Sequence, residues 1–76
     1  MKQIIIKLNT KNDAVDFVSK IASFPAHIDL KYGNCMIDAK SILGVLGVAV
    51  GKKVSLSVHP EDFSLLEEKI NEYIVA

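Results

Sequence analysis

Chemistry in this chain would have to start from a few hydroxyls, imidazoles and one thiol. Thr10 stands just ahead of Asn12, Asp13 and Asp16, Ser41 directly precedes an apolar run, His27 and His59 stand alone, and Cys35 is the single cysteine. A threonine hydroxyl becomes a nucleophile only beside a base, and none is adjacent to Thr10 in sequence. An imidazole with a pKa of about 6.5 can carry a proton or a phosphoryl group at neutral pH. His27 begins a strand and His59 precedes Pro60 at a helix entry, each without a second ligand or activated nucleophile nearby, so both are expected to be surface histidines. Cys35 can form no internal disulfide and has no visible thiolate-stabilising neighbours, so it is expected to be inert. There is no Gly-rich phosphate loop, no Cys-pair metal spacing and no Ser/His/Asp constellation. No enzyme activity, metal or cofactor is therefore expected.

The 76 residues, half of them apolar, suffice for one small domain, residues 1–76. Nine lysines balance nine acidic residues, and arginine is absent. Zero net charge with spread lysines argues against a nucleic-acid or anionic-membrane partner. The apolar run Ile4 to Ile6 is too short for a secretory leader. The run from Ile42 to Val50 holds two glycines and falls well below the roughly 20 residues of a membrane span. With no disulfide to rely on, the chain reads as cytoplasmic.

Side-chain periodicity gives the elements that must position these groups. Ile4, Ile6 and Leu8 alternate with Gln3, Ile5 and Lys7 as in a strand with one buried face. Ala14, Phe17, Val18, Ile21 and Ala22 form the stripe of an amphipathic helix, which Thr10 or Asn12 can cap, with Asp13 and Asp16 in its first turn at the positive end of the helix dipole and Asp16 able to pair with Lys20. Phe24-Pro25 closes it. Ile28, Leu30 and Tyr32 alternate with His27, Asp29 and Lys31, and Gly33-Asn34 turns the chain into a second short strand from Cys35 to Asp38. Ser41 caps a short helix over Ile42 to Val48, weakened by Gly44 and Gly47. Val54, Leu56 and Val58 give a fourth strand, and Pro60 opens a last helix with the stripe Phe63, Leu66, Ile70, Tyr73 and Ile74. One-faced strands and one-striped helices bury both as two layers, an antiparallel sheet with helices on one side in a βαββαβα order.

That order, with Ala14-Val15-Asp16-Phe17-Val18, with His27-Ile28-Asp29-Leu30-Lys31-Tyr32 before a Gly-Asn turn, and with Asp38-Ala39-Lys40-Ser41-Ile42-Leu43-Gly44-Val45-Leu46, resembles the HPr family over nearly the whole chain. HPr is the small phosphocarrier of the bacterial phosphotransferase system, which moves sugars. The Lys-Ser-Ile-x-Gly-Val stretch is the most specific part and is close to the serine-site region of HPr from Gram-positive bacteria. The resemblance implies an α+β open-faced β-sandwich, four antiparallel strands with three helices on one face.

The chain departs from the family where the family's phosphoryl group is carried. A typical member has Gly-Leu-His-x-Arg-Pro at the start of the first helix, whereas here Thr10 occupies the His position, Asn12 the Arg position and Asp13 the Pro position. The loop ahead of Thr10 is several residues shorter, and the connection before Lys52 about two shorter. Carboxylates in the first helical turn would repel a phosphoryl group there. Ser41 matches the serine that HPr kinase/phosphorylase modifies, and a phosphate of about −2 charge would meet free N–H groups at a helix start. Ile42, Leu43, Val45, Leu46 and Val48 cannot all face the core of a short helix, and the resemblance assigns Ile42, Leu43 and Leu46 to partner docking.

The expectation is thus an HPr-like regulatory or protein-binding member without a catalytic residue, controlled at Ser41. HPr kinase/phosphorylase and a transcriptional regulator are the partners the resemblance suggests. Two alternatives stand beside it: a phosphocarrier using Thr10, His27 or His59, and a structural or oligomerising module. The first strand, apolar on both faces at Ile4-Ile5-Ile6, leaves monomer and homodimer open through edge pairing or strand exchange.

Overall fold

A computed structural model describes residues 2–75. Strands Lys2–Lys7 (β1), Asp29–Tyr32 (β2), Cys35–Asp38 (β3) and Lys53–Val58 (β4) alternate with helices Lys11–Ile21 (α1), Ile42–Val48 (α2) and Phe63–Ile70 (α3). The sheet order is β1-β4-β2-β3, antiparallel throughout, so the fourth strand is central and the first is an edge. The helices cover one face, and this is the open-faced β-sandwich expected.

Alternation decides which face is buried. Ile4 and Ile6 of β1, Leu8 just beyond it, Leu30 of β2, and Val54, Leu56 and Val58 of β4 point under the helices, where Ala14, Phe17, Ile21, Val45, Leu66 and Ile70 meet them. The open face carries the complementary set, including the cross-strand row Ile5, Ser55, Lys31 and Met36. Among the described residues no charged side chain is buried, so the core is held by apolar burial alone. Gly33 has φ +59° while Asn34 has no positive φ, as a type II′ hairpin turn requires.

Several boundaries differ from the sequence-based expectation: β2 begins at Asp29 and not at His27, and Pro60–Asp62 forms a 3₁₀ turn ahead of α3, which begins at Phe63. Helix α1 begins one turn ahead of Ala14 because Thr10 is its cap, so Asp13 lies in the first turn and Asp16 in the second. It ends at Ile21, and the N–H of the buried Phe24 donates to the Ile21 carbonyl at 2.9 Å before Pro25 is reached. The last helix stops at Ile70. Asn71–Tyr73 tightens into a 3₁₀ turn and Ile74 is extended at φ −74°, ψ 129°. The tightening drives the Tyr73 ring against Phe17, edge to face at 6.3 Å, and brings Ile74 beside Ile6 in an antiparallel bridge.

Candidate functional site

The ends of α1 and α2 lie crosswise. Leu8 bridges Val50 in parallel, and the Gly51 N–H donates to the Leu8 carbonyl at 2.6 Å, so the entry to α1 adjoins the exit of α2. At the other end the Lys40 ammonium donates to the Phe24 carbonyl at 2.5 Å, joining the exit of α1 to the entry of α2. The two helices are therefore antiparallel, and Thr10 and Ser41 mark opposite ends of the pair.

At the first end, Thr10 has extended backbone (φ −132°, ψ 168°), and its Oγ1 accepts the Asp13 N–H at 3.1 Å. Asp13 reaches back, its Oδ2 accepting the Asn9 N–H at 3.1 Å. This is a capping box shifted by one residue. It fills the start of the helix with an internal carboxylate and occupies the Thr10 hydroxyl as an acceptor. Asn12 is exposed and lies one residue before that carboxylate.

His27 and His59 lie at the other end of the sheet. Lys2 pairs with Val58 and Lys7 with Lys53, so His59 extends beyond the Lys2 end while Thr10 follows the Lys7 end. His27 precedes Asp29, which is opposite Ser57, and its Nε2 is 2.6 Å from the Asp29 Oδ1. Neither imidazole stands where it could take a proton from Thr10. Cys35 is exposed beside the Gly33-Asn34 turn.

At the second end the Ser41 hydroxyl accepts the Gly44 N–H at 3.3 Å, and its carbonyl accepts the Val45 N–H at 2.9 Å. Asp38 holds the approach, its Oδ1 accepting the Lys40 N–H at 2.9 Å. Beyond the cap every residue of α2 is apolar or glycine. Val45 is buried, Ile42 and Leu46 are half-buried, and Leu43 is 81% exposed. Leu43, Leu46 and Gly47 fall at i, i+3 and i+4, one outward stripe. The opposite side of α2 rides close on β3, where a Cβ on Gly44 would stand 3.0 Å from the Ile37 Cδ1. The Lys52 ammonium closes the exit, 3.5 Å from the Val48 carbonyl and over the Tyr32 ring at 5.3 Å.

A cluster with no sequence signal beyond the Asp16-Lys20 spacing sits behind α1. Lys20 pairs with Asp16 at 3.2 Å and with Glu72, and the Tyr73 hydroxyl donates to the Asp16 carboxylate. Burial, followed by the neighbouring Asp16 carboxylate, pushes the Tyr73 phenol up to about 12. The bond from Tyr73, with help from Lys20, holds Asp16 below the ordinary carboxylate value. The expectation that Asp16 would add its charge to the start of α1 is thus corrected, since that charge is turned toward Lys20 and Tyr73.

No pocket is present among the described residues. No helix among them is long and apolar enough to cross a membrane.

Comparison with known proteins agrees with this geometry. The sequence model of the family described as the PTS HPr component phosphorylation site matches residues 10–75, beginning at the Thr10 cap. The crystal structure of HPr-C-His from Thermoanaerobacter tengcongensis is similar, with 28% identity and a TM-score of 0.74, covering 95% of this chain and 89% of that one. No curated protein sequence matches. With the family model spanning most of the chain and a solved HPr sharing its sheet and helices, this chain belongs to the HPr family of the phosphotransferase system.

Proposed function

We propose that this HPr-family chain acts in the cytoplasm as a partner-binding member of the phosphotransferase system, docking through the outer stripe of α2 under the control of Ser41 phosphorylation. It carries no phosphoryl group at the family's first-helix position and turns over no substrate. The observation that carries this reading is the closed start of α1. Thr10 caps, Asp13 supplies the anion, and among the described residues no basic side chain is hydrogen-bonded to the hydroxyl. A phosphoryl group placed there would displace a hydrogen-bonded carboxylate and then face its charge.

The surroundings of Ser41 support the switch. Ser41 is exposed, and among the described residues its hydroxyl makes one long cap bond, so a phosphate can keep that bond and extend to neighbouring N–H groups. The nearest lysine along the chain, Lys40, is held on the Phe24 carbonyl, which leaves the added charge for Lys or Arg of a partner. Leu43 would supply the desolvated contact beside it, with Ile42 and Leu46 flanking. HPr kinase/phosphorylase and a transcriptional regulator are the partners of this reading.

Intact mass with peptide mapping, after incubation with ATP and HPr kinase/phosphorylase, tests it. One phosphate on Ser41, absent from Ser41→Ala, is expected. An unmodified chain, with the enzyme active on ordinary HPr, overturns the switch. Phosphoenolpyruvate and the system's first enzyme should leave the chain unlabelled, and label on Thr10, His27 or His59 would return it to the carriers.

A further inference from the structure

β1 is an edge strand whose middle three residues are all isoleucine, a combination that invites pairing with another chain. Its outer edge is occupied at one place. The Val75 N–H donates to the Ile5 carbonyl at 2.9 Å, and Ile74 bridges Ile6. Besides these main-chain contacts with β1, the short strap is fastened to α1 through side chains: Tyr73 packs on Phe17 and donates to Asp16, and Glu72 pairs with Lys20. Val75 itself is half-exposed.

We infer that residues 71–75 form an autoinhibitory edge guard, and that the surface they cover is a pairing site for β1 of a second copy of this chain. The bond from Val75 shows that the Ile5 carbonyl points outward, and alternation then turns Gln3 and Lys7 outward with it. Two copies meeting antiparallel about a two-fold axis must set outward residues opposite outward residues. Centred on Ile5, this places Ile5 opposite its own copy, Ile4 opposite Ile6, and Gln3 opposite Lys7, with no lysine facing a lysine. The strap takes the central carbonyl of that register, so guarded and paired states exclude each other. The product is a continuous eight-stranded sheet made from two four-stranded ones.

The occupant is a second copy because the edge is self-complementary in both side chains and charge. A partner strand with acidic residues opposite Lys2 and Lys7 would be the competing outcome.

The test is self-association by sedimentation velocity from micromolar to millimolar concentration. Val75→Pro deletes the donor to Ile5, and the extended Ile74 ahead of it tolerates a following proline. The wild type should remain monomeric, and Val75→Pro should dimerise with a Kd at least tenfold below any wild-type value. Adding Ile5→Lys, which sets like charges face to face at the two-fold axis, should restore the monomer. Tyr73→Phe frees the strap from Asp16 without touching the main chain and should move the equilibrium the same way, which keeps the test open if Val75→Pro fails to fold. A folded, monomeric Tyr73→Phe or Val75→Pro overturns the inference. So does a wild type already dimeric at micromolar concentration, or a dimer indifferent to Ile5→Lys.

Discussion

Asp13 and Asn9 close the first turn of α1 on itself: the Asp13 carboxylate accepts the Asn9 N–H at 3.1 Å, across the threonine that caps the same helix. An imidazole at position 10 would therefore meet an occupied helix end. A negative group about 4 Å away costs an incoming phosphoryl group roughly 1 kcal/mol per unit charge in water and about 4 kcal/mol at a protein surface. Thr10→His alone should take up little label from phosphoenolpyruvate and the system's first enzyme. Thr10→His with Asp13→Ala should take up at least about tenfold more, read by mass spectrometry at neutral pH. Equal labelling of the two would show that Asp13 is no barrier.

Ser41 has a structural duty that phosphorylation has to respect. Its cap bond to Gly44 is long and exposed, so Ser41→Ala should cost about 0.5–1 kcal/mol in urea unfolding, the low end of the range for lost caps. Ser41→Asp should recover most of that, because a carboxylate caps as well as a hydroxyl and favours the helix dipole.

The two glycines of α2 separate helix propensity from packing. A Cβ on Gly47 would meet nothing within 4 Å, and Gly47→Ala should stabilise the fold by about 0.5–1 kcal/mol. On Gly44 it would stand 3.0 Å from the Ile37 Cδ1 and 3.4 Å from the Ser41 Oγ, so Gly44→Ala should stay at or below wild type. Equal gains at both positions would mean that α2 rides farther from β3 than described.

The burial of Tyr73 and its bond to Asp16 give stability two pH limits. Asp16 is held below its unfolded value of 3.8, so its contribution is present above that pH and is lost as pH falls through the lower folded value. The Tyr73 phenol rises from 10.0 to about 12, so its contribution is full below pH 10 and is lost as pH rises toward 12. Tyr73→Phe should lower the Tm at pH 7, lose its deficit at strongly acid pH, and flatten the alkaline limb. A deficit unchanged from pH 2 to pH 11 would show that the hydroxyl contributes independently of the charge on Asp16 and of its own ionisation.

Much of this fold could be read from residue spacing. The strand faces follow from the alternation of Ile4, Ile6 and Leu8 and of Val54, Leu56 and Val58, and Ser41 announced the helix it caps. The hidden parts are those that join distant stretches. Tyr73 looked like one more residue of a helical stripe because nothing local to it signals Asp16, 57 positions away. Asp16 was misplaced for the same reason: its helix starts at Lys11, and the charge is used sideways by Lys20 and Tyr73. At the candidate site, the exposure of Leu43 needed the structure, since an all-apolar helix does not reveal which side it turns outward.

The strand order also sets a timetable for synthesis. β1 finds its partner only when β4 has left the ribosome, because Lys2 pairs with Val58 across almost the whole chain. Until then a nascent segment with three consecutive isoleucines waits without a sheet, while α1, the β2–β3 hairpin and α2 can already form. Closure of β1 on β4 is thus the late, non-local step, and the interval before it is when newly made copies are most open to sticking to one another.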